Sequence, residues 1–248
     1  MPPLLAPNLE TDLRPPAGFF FLWWGADMAS GCLVLVDGWN HFLAAESCLG
    51  RGVAVKFPID RLATYVAAAV GEDTVTDVVV VMAIPDRNQP GEEPQFWAWR
   101  NKLKKLANYG VRHERARFSY RDTPCAGCGN SLDWKVKCPA CERENPLAGR
   151  KKEKGADVTL ATMALNGAWR QDYSSLVILS QDSDYGPMVK YVKDVHLQQG
   201  RQYALYSAFP FCGDTGHDHR KIPGTQAVLI DEEAYAKLVA QPFADPRG

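Results

Sequence analysis

Four aspartates in this 248-residue chain stand where apolar runs break off, the places at which carboxylates can be gathered for chemistry. The run Leu176-Val177-Ile178-Leu179 passes into Ser180-Gln181-Asp182-Ser183-Asp184, and acids two positions apart can reach one divalent cation. Without a cation they would repel each other. Asp37 closes a second run, Cys32-Leu33-Val34-Leu35-Val36, and leads into a Gly-Trp-Asn turn whose Asn40 can orient a carboxylate or a water. Asp157 opens a helical pattern in which Ala161, Ala164 and Leu165 follow on its own face, a stripe suited to packing on a sheet. A helix N-terminus also favours an acid. Singly, each aspartate has a bland explanation as a turn or cap residue. Together they predict one metal centre for phosphate chemistry, because hard oxygen ligands select Mg²⁺ or Mn²⁺.

A second ligand set is local. In Cys125-x-x-Cys128 and Cys138-x-x-Cys141 each pair forms a tight knuckle, and two knuckles supply the tetrahedral thiolates that Zn²⁺ prefers. The spacer between them is long enough for a small hairpin through Leu132–Val136, and residues 122–146 read as a zinc-ribbon insertion. So small a unit depends on its metal to fold. An iron–sulfur cluster or a redox pair is the competing use of these thiols. Cys32, Cys48 and Cys212 read as packing or loop residues. Seven cysteines, an odd number with four in paired units, point to a reducing, cytoplasmic setting. The aromatic run Phe19–Trp24 is far too short to span a bilayer, so no membrane partner is expected.

Net charge is −1, but it is unevenly spread. Residues 98–154 hold 15 Lys and Arg against 6 Asp and Glu, so a basic block adjoins an acidic body. Such a block is often just a solvated face, yet beside a carboxylate cluster it also suits a polyanion. The phosphate-binding candidates are Arg150, Lys151, Lys152 and Lys154, immediately ahead of Asp157, with Lys135, Lys137 and Arg87 farther away. Trp134 can serve as a stacking platform for a base.

The elements that must position these groups alternate in type. Strands are expected at 32–36, 78–84, 111–120, 176–179, 203–208 and 227–230. Helices are expected at 41–48, through Phe96–Leu106, at 156–169, 187–194 and 232–239. Alternation of this kind implies an α/β fold, with a mainly parallel sheet between layers of helices. Five prolines make residues 1–30 an N-terminal extension, leaving 31–240 as the main domain.

Val36-Asp37-Gly38-Trp39-Asn40, Lys154-Gly155-Ala156-Asp157-Val158 and Ser180-x-Asp182-Ser183-Asp184-Tyr185-x-Pro187 resemble, in order, the three signature segments of the NYN domain, a member of the PIN-like nuclease group. The likeness spans roughly residues 31–210, and Gln181 stands where many relatives carry a small residue. It implies a Rossmann-like sheet and Mg²⁺- or Mn²⁺-dependent hydrolysis of RNA by metal-activated water. Asp37, Asp157, Asp182 and Asp184 would be the metal ligands, with Asn40 beside them. The expected partner is single-stranded RNA. The alternative is a catalytically silent RNA-binding adaptor using the same basic face and zinc ribbon.

Overall fold

The run at 32–36 becomes a strand buried at every position because helices cover both of its faces. The computed structural model describes residues 30–89, 91–119, 127–128, 140–142, 151–202, 204–213 and 221–247. Within them the order is β1 (Cys32–Asp37), α1 (Gly38–Leu49), α2 (Arg51–Ala54), α3 (Ile59–Ala69), β2 (Val75–Ala83), α4 (Glu93–Ala107), β3 (Val111–Ser119) and β4 (Lys152–Lys154). There follow α5 (Ala156–Arg170), β5 (Ser175–Leu179), a 3-10 turn (Ser183–Tyr185), α6 (Gly186–Gln198), β6 (Ala204–Phe211), β7 (Gln226–Asp231) and α7 (Glu232–Ala240). The strands form one sheet in the order β4-β3-β2-β1-β5-β6-β7, parallel throughout except for the β3–β4 pair.

Strand alternation divides the core in two. Val34 and Val36 join Phe42 of α1, Leu62 and Val66 of α3, Leu106 of α4 and Tyr235 of α7. Leu33 and Leu35 face the other way, onto Leu160 and Ala164 of α5 and Val189 and Val192 of α6. The chain therefore winds from β1 to β2 over one face and reaches β5 over the other. Strand order reverses between β1 and β5, and the crevice at their C-terminal ends is where open α/β sheets hold ligands.

Several elements extend or correct the sequence reading. Helix α3 was not anticipated, although Ile59, Leu62, Ala63, Val66 and Ala67 are all buried at helical spacing. Residues after 240 pack onto the helices: Ala244 N–H donates to Asp60 at 3.0 Å, and the Phe243 ring lies under the ammonium of Lys105 at 3.9 Å. Cys48 and Cys212 are not inert packing residues, for a disulfide joins them with Cα atoms 5.4 Å apart. Residues 1–29 lie outside the described residues, as does most of 122–146 together with both of its ends. No helix among the described residues is long and apolar enough to cross a membrane.

Candidate metal centre

Three of the four aspartates meet at the crevice between β1 and β5. Carboxylate oxygens of Asp37, Asp157 and Asp182 all lie within 4.8 Å of one another. Asp37 is the last residue of β1 and the N-cap of α1, its Oδ1 accepting the Asn40 N–H at 3.2 Å. Asp182 caps the 3-10 turn, its Oδ1 accepting the Asp184 N–H at 2.9 Å. Asp157 is in the first turn of α5. The capping and ligand roles are thus compatible, since a carboxylate has several lone-pair directions to share.

Two glycines in these segments have identifiable duties. A Cβ at Gly38 would lie 2.6 Å from Cβ of Met82, so only glycine lets α1 start this close to β2. Gly155 has φ of 88°, the left-handed conformation needed to turn from β4 into α5 and bring Asp157 forward. Asn40 acts as a brace. Its Oδ1 accepts the Gln181 N–H at 3.0 Å and ties the loop after β1 to the loop after β5.

Tyr185 stands between two of the acids. Its hydroxyl lies 2.9 Å from Asp37 Oδ2 and 3.3 Å from Asp157 Oδ1. A hydroxyl carries one proton, so it can donate to only one of two ionised carboxylates at a time. Asp37 is only 4% exposed. Burial pushes its carboxyl up to about 6, the neighbouring Asp157 and Asp182 add to the rise, and the Asn40 N–H and Tyr185 hydroxyl oppose it. Burial and the charges of Asp37 and Asp157 raise the Tyr185 phenol as well. A pocket of like charges with too few protons fits a cation, and its donor set is all hard oxygen.

Asp184 does not join the group. Like Asp157 it is exposed, but its carboxylate is not in the converged group, and its N–H is taken by the cap that Asp182 forms. A different carboxylate feels the charges of Asp37 and Asp157. Glu153, at the centre of β4, accepts the Ala83 N–H at 2.5 Å, while the Trp39 indole donates to the Ala83 carbonyl at 2.8 Å. Burial, with Asp37 and Asp157 contributing, raises the Glu153 carboxyl to about 7. Sequence reasoning missed it because a three-residue strand inside a basic run has no visible period. The one available signal was the Lys-Glu-Lys alternation, which puts the acid on one face and the bases on the other.

The other predicted residues fall into three sets. Lys152 is exposed and Lys154 half-buried, both on β4, and Arg87 is exposed in the loop after β2. Lys151 is otherwise engaged, paired with Glu92 at 2.7 Å and lying 4.5 Å from the Phe118 ring centre. Trp134, Lys135, Lys137, Arg150, Cys125 and Cys138 are outside the described residues, and Cys128 and Cys141 are exposed. His41, next to Asn40, is buried toward Tyr235, and burial lowers its pKa to about 4. That keeps it neutral and away from acid–base work at the crevice.

No family model matches the chain, and no curated protein matches it. Among solved structures the chain is similar to PlmKR1, a ketoreductase from the first module of phoslactomycin biosynthesis in Streptomyces sp. HK803, at 11% identity and a TM-score of 0.23. The match covers 90% of this chain and 52% of that one, so the chain spans about half of that enzyme's length. A likeness at this level carries no argument about activity.

Proposed function

We propose that this protein is a metal-dependent ribonuclease of the PIN-like, NYN type, hydrolysing phosphodiester bonds of single-stranded RNA. The observation that carries the reading is the convergence of Asp37, Asp157 and Asp182 at the sheet's switch point. They would hold one or two Mg²⁺ or Mn²⁺ ions, as the crowding of their charges favours. Bound there, such a cation supplies an activated water and neutralises charge on the phosphoryl oxygens and the leaving 3′-oxygen.

The chain's own groups do the rest. Asp37 and Asp182 are each held in place by the N–H group that their Oδ1 accepts. Asn40 holds the two loops in register. Tyr185 donates its proton to whichever of Asp37 and Asp157 is less well compensated. Glu153, anchored on Ala83, lends a further carboxylate that can hold a water at the edge of the site. By similarity to PIN-like enzymes, the products would carry a 5′-phosphate and a 3′-hydroxyl. A structural Zn²⁺ on Cys125, Cys128, Cys138 and Cys141 completes the metal content of this reading.

The test is cleavage of labelled single-stranded RNA by the full chain in Mn²⁺ or Mg²⁺, compared with EDTA and with D157N. Activity should require the metal and fall by orders of magnitude in D157N. A wild-type protein that binds RNA but never cuts it in either metal would instead be the silent adaptor.

A further inference from the structure

Lys152 and Lys154, phosphate-binding candidates from the sequence, share their strand face with arginines of β3 that have had no role so far. In the antiparallel register of β3 and β4, Arg117 lies directly opposite Lys154, and Ser119 opposite Lys152. Directly opposed residues share a face, and Arg115 is two residues back on the same side of β3. Arg115, Arg117 and Lys152 are exposed and Lys154 is half-buried. Among the described residues none of the four is ion-paired with an acid, whereas nearby Arg112 pairs with Asp77 and Lys151 with Glu92.

Two cations facing each other across a strand pair repel, and this arrangement weakens the ribbon unless an anion lies between them. Glu153 occupies the opposite face, where it takes the Ala83 N–H near the aspartates. The ribbon therefore has an acidic side turned to the metal centre and a basic side turned outward. Bases two apart on one strand are spaced by about 7 Å, comparable with successive phosphates of an extended single strand. After Lys154 the chain needs only Gly155 and Ala156 to reach Asp157. The outward basic face and the carboxylate group are thus joined at the rim of the crevice by a three-residue step from Lys154 to Asp157.

We propose that Arg115, Arg117, Lys152 and Lys154 form the track that holds the phosphate backbone of single-stranded RNA as it approaches the crevice. The proposal rests on the ribonuclease reading and supplies the recognition surface for it. Contact is with phosphate, so it is independent of base sequence and sensitive to salt.

The experiment uses the full chain, a labelled oligouridylate and EDTA, so that binding is read apart from cleavage. R117A combined with K154A should weaken binding at least tenfold. It should also reduce the slope of log affinity against log salt by about 1.4, from two lost contacts at about 0.7 each. R117E is the control for folding: glutamate opposite Lys154 makes a cross-strand ion pair, so its melting temperature should hold or rise while RNA binding falls. Unchanged affinity and slope in both variants, with wild type binding RNA, would overturn the track and leave the ribonuclease reading standing. Wild type that binds RNA through these residues but cuts none in Mn²⁺ would sink the ribonuclease reading and keep the track. Wild type that ignores RNA yet binds phosphatidylserine vesicles through the same residues would overturn the RNA assignment.

Discussion

Replacing Asp37 by asparagine should stabilise the metal-free protein while abolishing its response to metal. The carboxyl is raised from an ordinary 3.8 to about 6, chiefly by burial. A shift of about two units corresponds to roughly 3 kcal/mol between protonation states. Since the folded protein holds this proton more tightly than the unfolded chain, the associated stability is complete below 3.8 and is lost as pH rises through about 6. Asparagine never ionises, still caps α1, and can donate to Tyr185, freeing that hydroxyl's proton for Asp157. In EDTA, D37N should match wild type near pH 4 and exceed it by about 2–3 kcal/mol near pH 8. Urea titrations at the two pH values measure this. Adding Mn²⁺ at the higher pH should raise the wild-type midpoint and leave D37N unmoved. If D37N were less stable than wild type near pH 8 in EDTA, the charge on Asp37 would be compensated by the protein alone. The argument for a cation would then fail.

The aspartates should differ from one another in activity: D182N and D157N should lose cleavage by orders of magnitude, whereas D184N, outside the converged group, should lose far less in the same RNA assay. Y185F should weaken Mn²⁺ binding several-fold by calorimetry and cost the metal-free protein about 1 kcal/mol, with RNA affinity in EDTA unaltered. The raised Glu153 carboxyl, from 4.5 to about 7, has the same sign as that of Asp37. E153Q should therefore flatten the decline in metal-free melting temperature between those values as pH rises. Elemental analysis should find one Zn²⁺ per chain, lost in a C125S and C138S double variant; an iron signal would refute the thiolate–zinc assignment.

Much of the centre was legible because periodicity ends where chemistry starts. Strands buried on both faces read as unbroken apolar runs, and Asp37 and Asp182 are the first acids after two of them. What a linear pattern does not carry is direction after the strand ends. Asp184 is two residues from Asp182, yet the 3-10 turn begun at Asp182 leaves it outside the cluster. Glu153 and Lys151 show the same limit: one reaches Ala83 and the other Glu92, each across more than fifty residues of sequence. The pairing of Cys48 with Cys212 spans 164 residues and follows from α1 lying beside β6, which only the tertiary fold decides. Helix α3 is a different case, since Ile59, Leu62, Ala63, Val66 and Ala67 carry its pattern in full within the sequence.

The short β3–β4 ribbon has a consequence for how the protein could have been assembled. Ser119 and Lys152 are register partners, so the chain leaves the sheet and returns to it at a single rung. The segment between them begins and ends at residues that are already held together. The cysteine segment can therefore be exchanged, lengthened or cut back to a two-residue turn without moving a strand of the parallel sheet, since closing a longer branch adds only about 0.6 kcal/mol per doubling. Ribbon and branch form a socket and its graft. The core could keep one arrangement of carboxylates while successive grafts change the surface presented beside it.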